Sequence, residues 1–142
     1  MYNHVFSSIH NNNQVINNEQ FKSYIEKHNL HNENIFVVRY SFFSCYSCVK
    51  MLYKLFEDTL PDFKTNKKVL IIVSGFKKEV KDYFSIKIDT NLGIGLPYDE
   101  TGSVYVMIVN NFITNHFFEP DKANPGIAEM YIGEIKRRYF LD

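Results

Sequence analysis

Residues Ile35 to Lys50 read IFVVRYSFFSCYSCVK: an apolar run, a short aromatic turn, and then the only two cysteines of the chain. Ile35, Phe36, Val37 and Val38 are β-branched or aromatic and of strand length, whereas Val49, Leu52, Tyr53, Phe56 and Leu60 recur at helical spacing directly afterwards. The pattern predicts that Cys45-Tyr46-Ser47-Cys48 lies where a strand ends and a helix begins. A helix start offers backbone N–H groups without intrahelical partners and the positive end of the helix dipole, and both favour a thiolate over a thiol. The thiolate is the reactive form of cysteine. Cys45, at or just before the first turn, is therefore expected to be the more exposed and more acidic sulfur. Cys48, one turn further in, is placed to attack a mixed disulfide formed at Cys45 and release the substrate. The activity this implies is thiol–disulfide exchange with a protein or peptide partner, with no cofactor.

Two other readings use the same residues. His28 and His31 repeat the two-residue spacing of the cysteines, so two histidines and two cysteines could form a zinc site, although zinc cysteines usually sit on a glycine-bearing knuckle rather than between strand and helix patterns. Alternatively the pair is chemically idle, and the domain only binds a partner.

The chain has 142 residues, enough for one domain with a substantial core and too few for two ordinary ones. It is 45% hydrophobic and 16% aromatic without tryptophan, so phenylalanine and tyrosine must fill the core. Sixteen basic residues balance sixteen acidic ones, which argues against a nucleic-acid partner. No apolar segment approaches the ~20 residues of a membrane span. The start, MYNHVFSSIHNNNQ, has neither a basic n-region nor an apolar h-region, so as written the chain is expected to be cytoplasmic.

Residues 1–17, rich in asparagine and serine, show no period and are expected to form a loose or partly packed arm, with one domain over 18–142. Phe21, Tyr24, Ile25 and His28 mark a first amphipathic helix with Asn18 as N-cap. The helix after the cysteines should stop before Pro61. Val69 to Val73 is a second unbroken apolar run, and the two runs with the helix between them suggest parallel strands buried on both faces. Arg39, a charge inside the first run, is expected at a partly exposed strand end. Lys77 to Phe84 has the look of a short helix, and the Gly93-Ile94-Gly95 region that of a loop, since no third glycine completes a nucleotide fingerprint. Val104 to Val109 and Phe112 to Phe118 read as a hairpin turning at Asn110-Asn111. Asn124-Pro125 opens a last helix whose apolar face is Ile127, Ala128, Tyr131, Ile132, Ile135 and Tyr139, with Glu134, Lys136, Arg137 and Arg138 off it.

Helix, strand, CxxC helix, strand, short helix, hairpin and final helix is an order that resembles the thioredoxin-like superfamily over roughly residues 18–141. Val37-Val38-Arg39-Tyr40 followed by Ser41-Phe42-Phe43-Ser44-Cys45 looks like that family's strand and aromatic turn before its first cysteine. The chain is most similar to divergent thioredoxin-like proteins of Bacteroidetes, some of them envelope proteins; for a chain whose N-terminus had been truncated, the resemblance implies the cell envelope. It implies an α/β fold with a central mixed sheet of about four strands flanked by helices, and Cys45 and Cys48 as the catalytic pair. Three positions depart from the family: Arg39 stands in place of a buried aspartate, Ser44 in place of a tryptophan, and Ser103-Val104 where the family has a cis-proline. A non-proline cis bond costs ~3 kcal/mol, so a trans bond is expected there. Phe42, Phe43, Tyr46, Ser103 and Val104 are then the expected partner-binding surface, with the aromatics selecting a specific partner.

Overall fold

A computed structural model describes residues 14–41, 46–74, 88–89 and 104–140. In chain order these hold helix α1 (Glu19–Lys27), strand β1 (Ile35–Ser41), helix α2 (Tyr46–Thr59), strands β2 (Val69–Ser74), β3 (Ile88–Asp89), β4 (Tyr105–Asn110) and β5 (Ile113–Phe118), and helix α3 (Pro125–Ile135), which runs into a π-helical turn at Lys136–Phe140. The fold is mixed α/β, with one mixed sheet in the order β3-β2-β1-β4-β5. β1 pairs parallel with β2 and antiparallel with β4, while β4 and β5 form an antiparallel hairpin. The four strands expected from the sequence are present. β3 is a fifth, parallel to β2 through Ile72↔Ile88 and Val73↔Asp89, and its two residues are too few to show a period in the sequence.

Alternation along β1 divides the interior into two clusters. Phe36, Val38 and Tyr40 meet Val49, Leu52, Tyr53 and Phe56 of α2 and Tyr131, Ile132 and Ile135 of α3. Ile35 and Val37 meet Phe21 and Ile25 of α1, together with Ile16 and Leu30. Side chains on a strand point alternately to opposite faces, so an unbroken apolar run is what a strand covered by helices on both sides requires.

Asn18 caps α1 as expected, its side chain accepting from the Phe21 N–H at 2.9 Å. The arm expected over 1–17 is fixed from Gln14 onward. Val15 bridges Ile113, Ile16 N–H donates to the Phe112 carbonyl at 2.8 Å, and the Ile16 side chain is fully buried. Residues 1–13, the expected helix at 77–84 and the Gly93-Ile94-Gly95 region lie outside the described residues.

Three local expectations are corrected. Arg39 is not at an exposed strand end: it is 3% exposed, because β1 and β2 stay paired through Ser41↔Ser74 and Tyr105 lies alongside in β4. Its guanidinium donates to the Tyr40 carbonyl. The hairpin turns at Asn111-Phe112 rather than at Asn110-Asn111, with φ of 51° and 66°. Positive φ at both central residues matches the right-handed strand twist, and Phe112, an unusual residue for that region, has its ring edge-on to Phe21 and His31, each with centroids 6.0 Å away.

The third correction concerns α3. Ile127 is exposed, and Glu134, expected on the solvent side, is only 1% exposed. Arg137 and Arg138, three and four residues on, both close on its carboxylate, with Arg137 Nε at 3.1 Å and Arg138 Nε at 2.9 Å. The hydrogen bonds from Arg137, then Arg138, outweigh burial and hold the Glu134 pKa down at about 2. A depressed carboxyl pKa contributes stability that is complete above the ordinary glutamate range and is lost as pH falls towards the folded value. Arg137 is 61% exposed, so solvent screens part of the attraction. Glu134→Gln should therefore cost roughly 2 kcal/mol at neutral pH. Urea unfolding followed by circular dichroism should show that the difference from the parent shrinks between about pH 4.5 and pH 2.

Candidate functional site

β1 is the central strand of the sheet, and the chain leaves its carboxyl end to enter α2 five residues later. β2 lies on one side of β1 and β4 on the other. In open α/β sheets the crevice outside the carboxyl ends of strands, where the chain connections diverge, is where ligands are bound. Cys48 stands in the first turn of α2, beyond that strand end.

The helical start gives Cys48 a particular setting. It is half-buried and packs against the cluster formed by Val49, Leu52, Phe56 and the facing strand residues. Tyr46, two residues earlier, is 59% exposed, and the Lys50 ammonium lies 5.5 Å from the centroid of its ring. No acidic side chain stands in the first turn of α2. The positive end of the helix dipole is therefore unopposed by an acid within that turn.

Beneath this turn, Val38, Tyr40, Val49, Leu52, Tyr53, Phe56 and Ile71 enclose a small apolar cavity between sheet and helix. Burial pushes the Tyr40 hydroxyl pKa far up, so this ring remains a neutral phenol. The side chains lining this cavity on the α2 side carry no charge. The buried charge of Arg39 belongs to the other face, in alternation with Val38 and Tyr40.

Of the residues the sequence singled out, Tyr46 and Cys48 lie in the first turn of α2. Cys45, Phe42, Phe43 and Ser103 lie outside the described residues. Val104 is 5% exposed and belongs to the cluster facing α2 and α3, so its side chain is core and only its backbone could meet a partner. The histidines of the zinc alternative stand apart from Cys48. His28 tilts against Tyr24 at 4.4 Å and His31 meets Phe112, both with the α1 face of the sheet, while Cys48 packs on the α2 face. Among the described residues no three histidine, cysteine or acidic side chains gather as a metal site, and no helix is long and apolar enough to cross a membrane.

A second polar cluster escaped the sequence reading. His116 in β5 hydrogen-bonds Tyr139 of the π-helical turn, Nε2 to hydroxyl at 2.8 Å, next in sequence to Arg138, which itself holds Glu134. A lone histidine in a strand and a tyrosine 23 residues later carry no spacing signal, and only the irregular backbone at both positions brings them together.

No protein-family model matches the chain, and no curated protein matches it. The functional reading therefore rests on the chain's own geometry.

The half-buried setting of Cys48 has a direct consequence for its chemistry with added reagents. In the reduced native protein, iodoacetamide should modify Cys48 at least about tenfold more slowly than in urea-unfolded chain, as timed quenching and peptide mass spectrometry would measure. Equal rates would mean that the start of α2 does not shield this sulfur.

Proposed function

We propose that this protein is a thiol–disulfide oxidoreductase of thioredoxin-like architecture, exchanging disulfides with a protein or peptide partner through Cys45 and Cys48. The observation that carries the reading is the position of Cys48, in the first turn of the helix that follows the central strand, half-buried behind an exposed Tyr46. The mixed sheet supports the same architecture, with its parallel pair, its antiparallel hairpin and helices on both faces.

In the mechanism this implies, the Cys45 thiolate attacks one sulfur of a partner disulfide. A mixed disulfide forms, and the partner's other sulfur leaves as thiolate. Cys48 then attacks the Cys45 sulfur, closing the Cys45–Cys48 disulfide and releasing the partner's second thiolate. The two electrons that reduce the partner come from the cysteine pair, and the reverse sequence oxidises a dithiol partner. Tyr46, exposed between the cysteines, offers an aromatic surface at the point where a partner chain must approach.

The rival reading, a binding module with an idle cysteine pair, predicts different chemistry from the same fold. With the exchange mechanism, Cys45 is alkylated before Cys48, and a Cys48→Ser variant accumulates mixed disulfides with few cellular partners while the parent accumulates almost none. Labelling of both sulfurs at an ordinary thiol rate, with nothing trapped by Cys48→Ser on non-reducing gels, would establish the binding module instead.

A further inference from the structure

The solvent face of α2 carries its charges in an unusual order. Tyr46, Lys50, Lys54, Glu57 and Asp58 are all exposed, and at 3.6 residues per turn they fall on one side of the helix. From the helix start onward this stripe runs from an aromatic ring through two lysines to two acids. A helix dipole favours acidic side chains near the first turn and basic ones near the last. Helix α1 follows that rule, with Glu19 in its first turn, Lys27 in its last, and an ion pair from Lys22 to Glu19 at 3.7 Å. Helix α2 departs from it, since its first turn holds no acid and its last turn no base.

Among the described residues no acid offsets the two lysines. Lys50 and Lys54 stand one turn apart, a spacing at which like charges repel. Glu57 and Asp58 follow on the same face, yet neither closes on Lys54, and no ion pair to either lysine forms among the described residues. The Lys50 ammonium instead lies 5.5 Å from the centroid of the Tyr46 ring, itself 59% exposed. A ring attracts a cation without neutralising it, so this ammonium keeps its charge towards solvent. Sixteen basic residues balance sixteen acidic ones over the chain, so the polarity of α2 is local rather than a share of a general excess.

Resting on thiol–disulfide exchange as the activity, we propose that the face of α2 formed by Tyr46, Lys50 and Lys54 docks an acidic segment of the partner, with aspartate or glutamate close to the cysteine it brings for exchange. A disulfide substrate of this protein is a polypeptide, whose ordinary anions are carboxylates. At 1.5 Å per residue, Lys50 and Lys54 stand about 6 Å and about 12 Å along the axis from Tyr46. The separation of about 6 Å between the lysines matches two residues of an extended chain, whose alternate side chains share one face. The segment that fits therefore carries carboxylates two residues apart. Exposed charges of this kind act on encounter rate and partner choice more than on affinity.

Exchange rates of the reduced full chain with synthetic disulfide peptides test this. Three peptides differ only beside the cysteine, where two glutamates, two glutamines or two lysines stand two residues apart. The readout is the ratio of their rates, in which any change of cysteine reactivity cancels. At about 0.01 M salt, where charges act over about 30 Å, the acidic peptide should react about tenfold faster than the neutral one. At about 1 M salt, where the range is about 3 Å, the two rates should agree within about twofold. The preference should vanish in Lys50→Gln/Lys54→Gln and invert towards the lysine peptide in Lys50→Glu/Lys54→Glu. Both sites are exposed, and glutamine and glutamate form helix about as well as lysine, so these variants keep the fold. An acidic peptide no faster than the neutral one in the parent, or a preference that survives in Lys50→Gln/Lys54→Gln, would overturn the docking surface and leave the exchange activity standing. No exchange with any of the three peptides would overturn the activity itself, and the docking surface with it.

Discussion

Burial of β1 on both faces is the constraint on which the rest of this molecule depends. A strand flanked in the sheet by β2 and β4 and covered above and below cannot present a polar side chain cheaply on either side. Ile35 to Val38 meet that demand with apolar side chains alone, and Tyr40 meets it with a hydroxyl whose ionisation burial forbids. Each helix finds its place through this strand. α1 lies against Ile35 and Val37 through Phe21 and Ile25, and α2 and α3 lie against Phe36, Val38 and Tyr40. The start of α2, and with it Cys48, is positioned by the same alternation that builds the core.

Arg39 is the one charge that β1 keeps. A guanidinium remains protonated at any accessible pH, and taking it out of water costs several kcal/mol unless hydrogen bonds and charge compensate. Its donation to the Tyr40 carbonyl shows one of the groups that receive it. On the proposed reading, a fixed cation occupies the strand position where the thioredoxin-like family has a titratable carboxylate. A carboxylate can take up a proton released by the inner thiol, whereas a guanidinium cannot. Proton movement at this pair would then fall to solvent or to the sulfurs themselves.

How much of this was legible in the sequence depended on the length of each signal. Long periodic segments spoke clearly: β1, β2, α1 and α2 each repeat an apolar pattern, and Asn18 announced its cap. Short or irregular elements did not. Two residues of β3 cannot show alternation, and the hairpin turn fell one residue later than the asparagine pair suggested because Phe112 adopts positive φ while its ring packs with Phe21 and His31. Glu134 misled through its chemistry, since a carboxylate beside two arginines reads as a solvated face. The π-helical turn brings both arginines back over it instead. At the candidate site, the helical start and the placement of Cys48 were legible from periodicity alone, while the burial of Val104 was not, because a residue just ahead of a strand carries no sign of which cluster it joins.

Among the described residues, much of the irregular backbone lies in the β4–β5 hairpin and the C-terminal turn. The turn at Asn111 and Phe112 lies at the amino-terminal end of β1, and the bulge at His116 lies opposite Met107, level with Val37 in the middle of that strand, whereas Cys48 stands in the first turn of α2. A bulge and a bridge to Val15 also limit how far β5 offers a flat edge to another strand, since an extra residue twists the ladder and a short bridge occupies it at Ile113. Helix α2, by contrast, is unbroken, so its peptide dipoles stay aligned along the axis, and an acid in its first turn would oppose the field at its start.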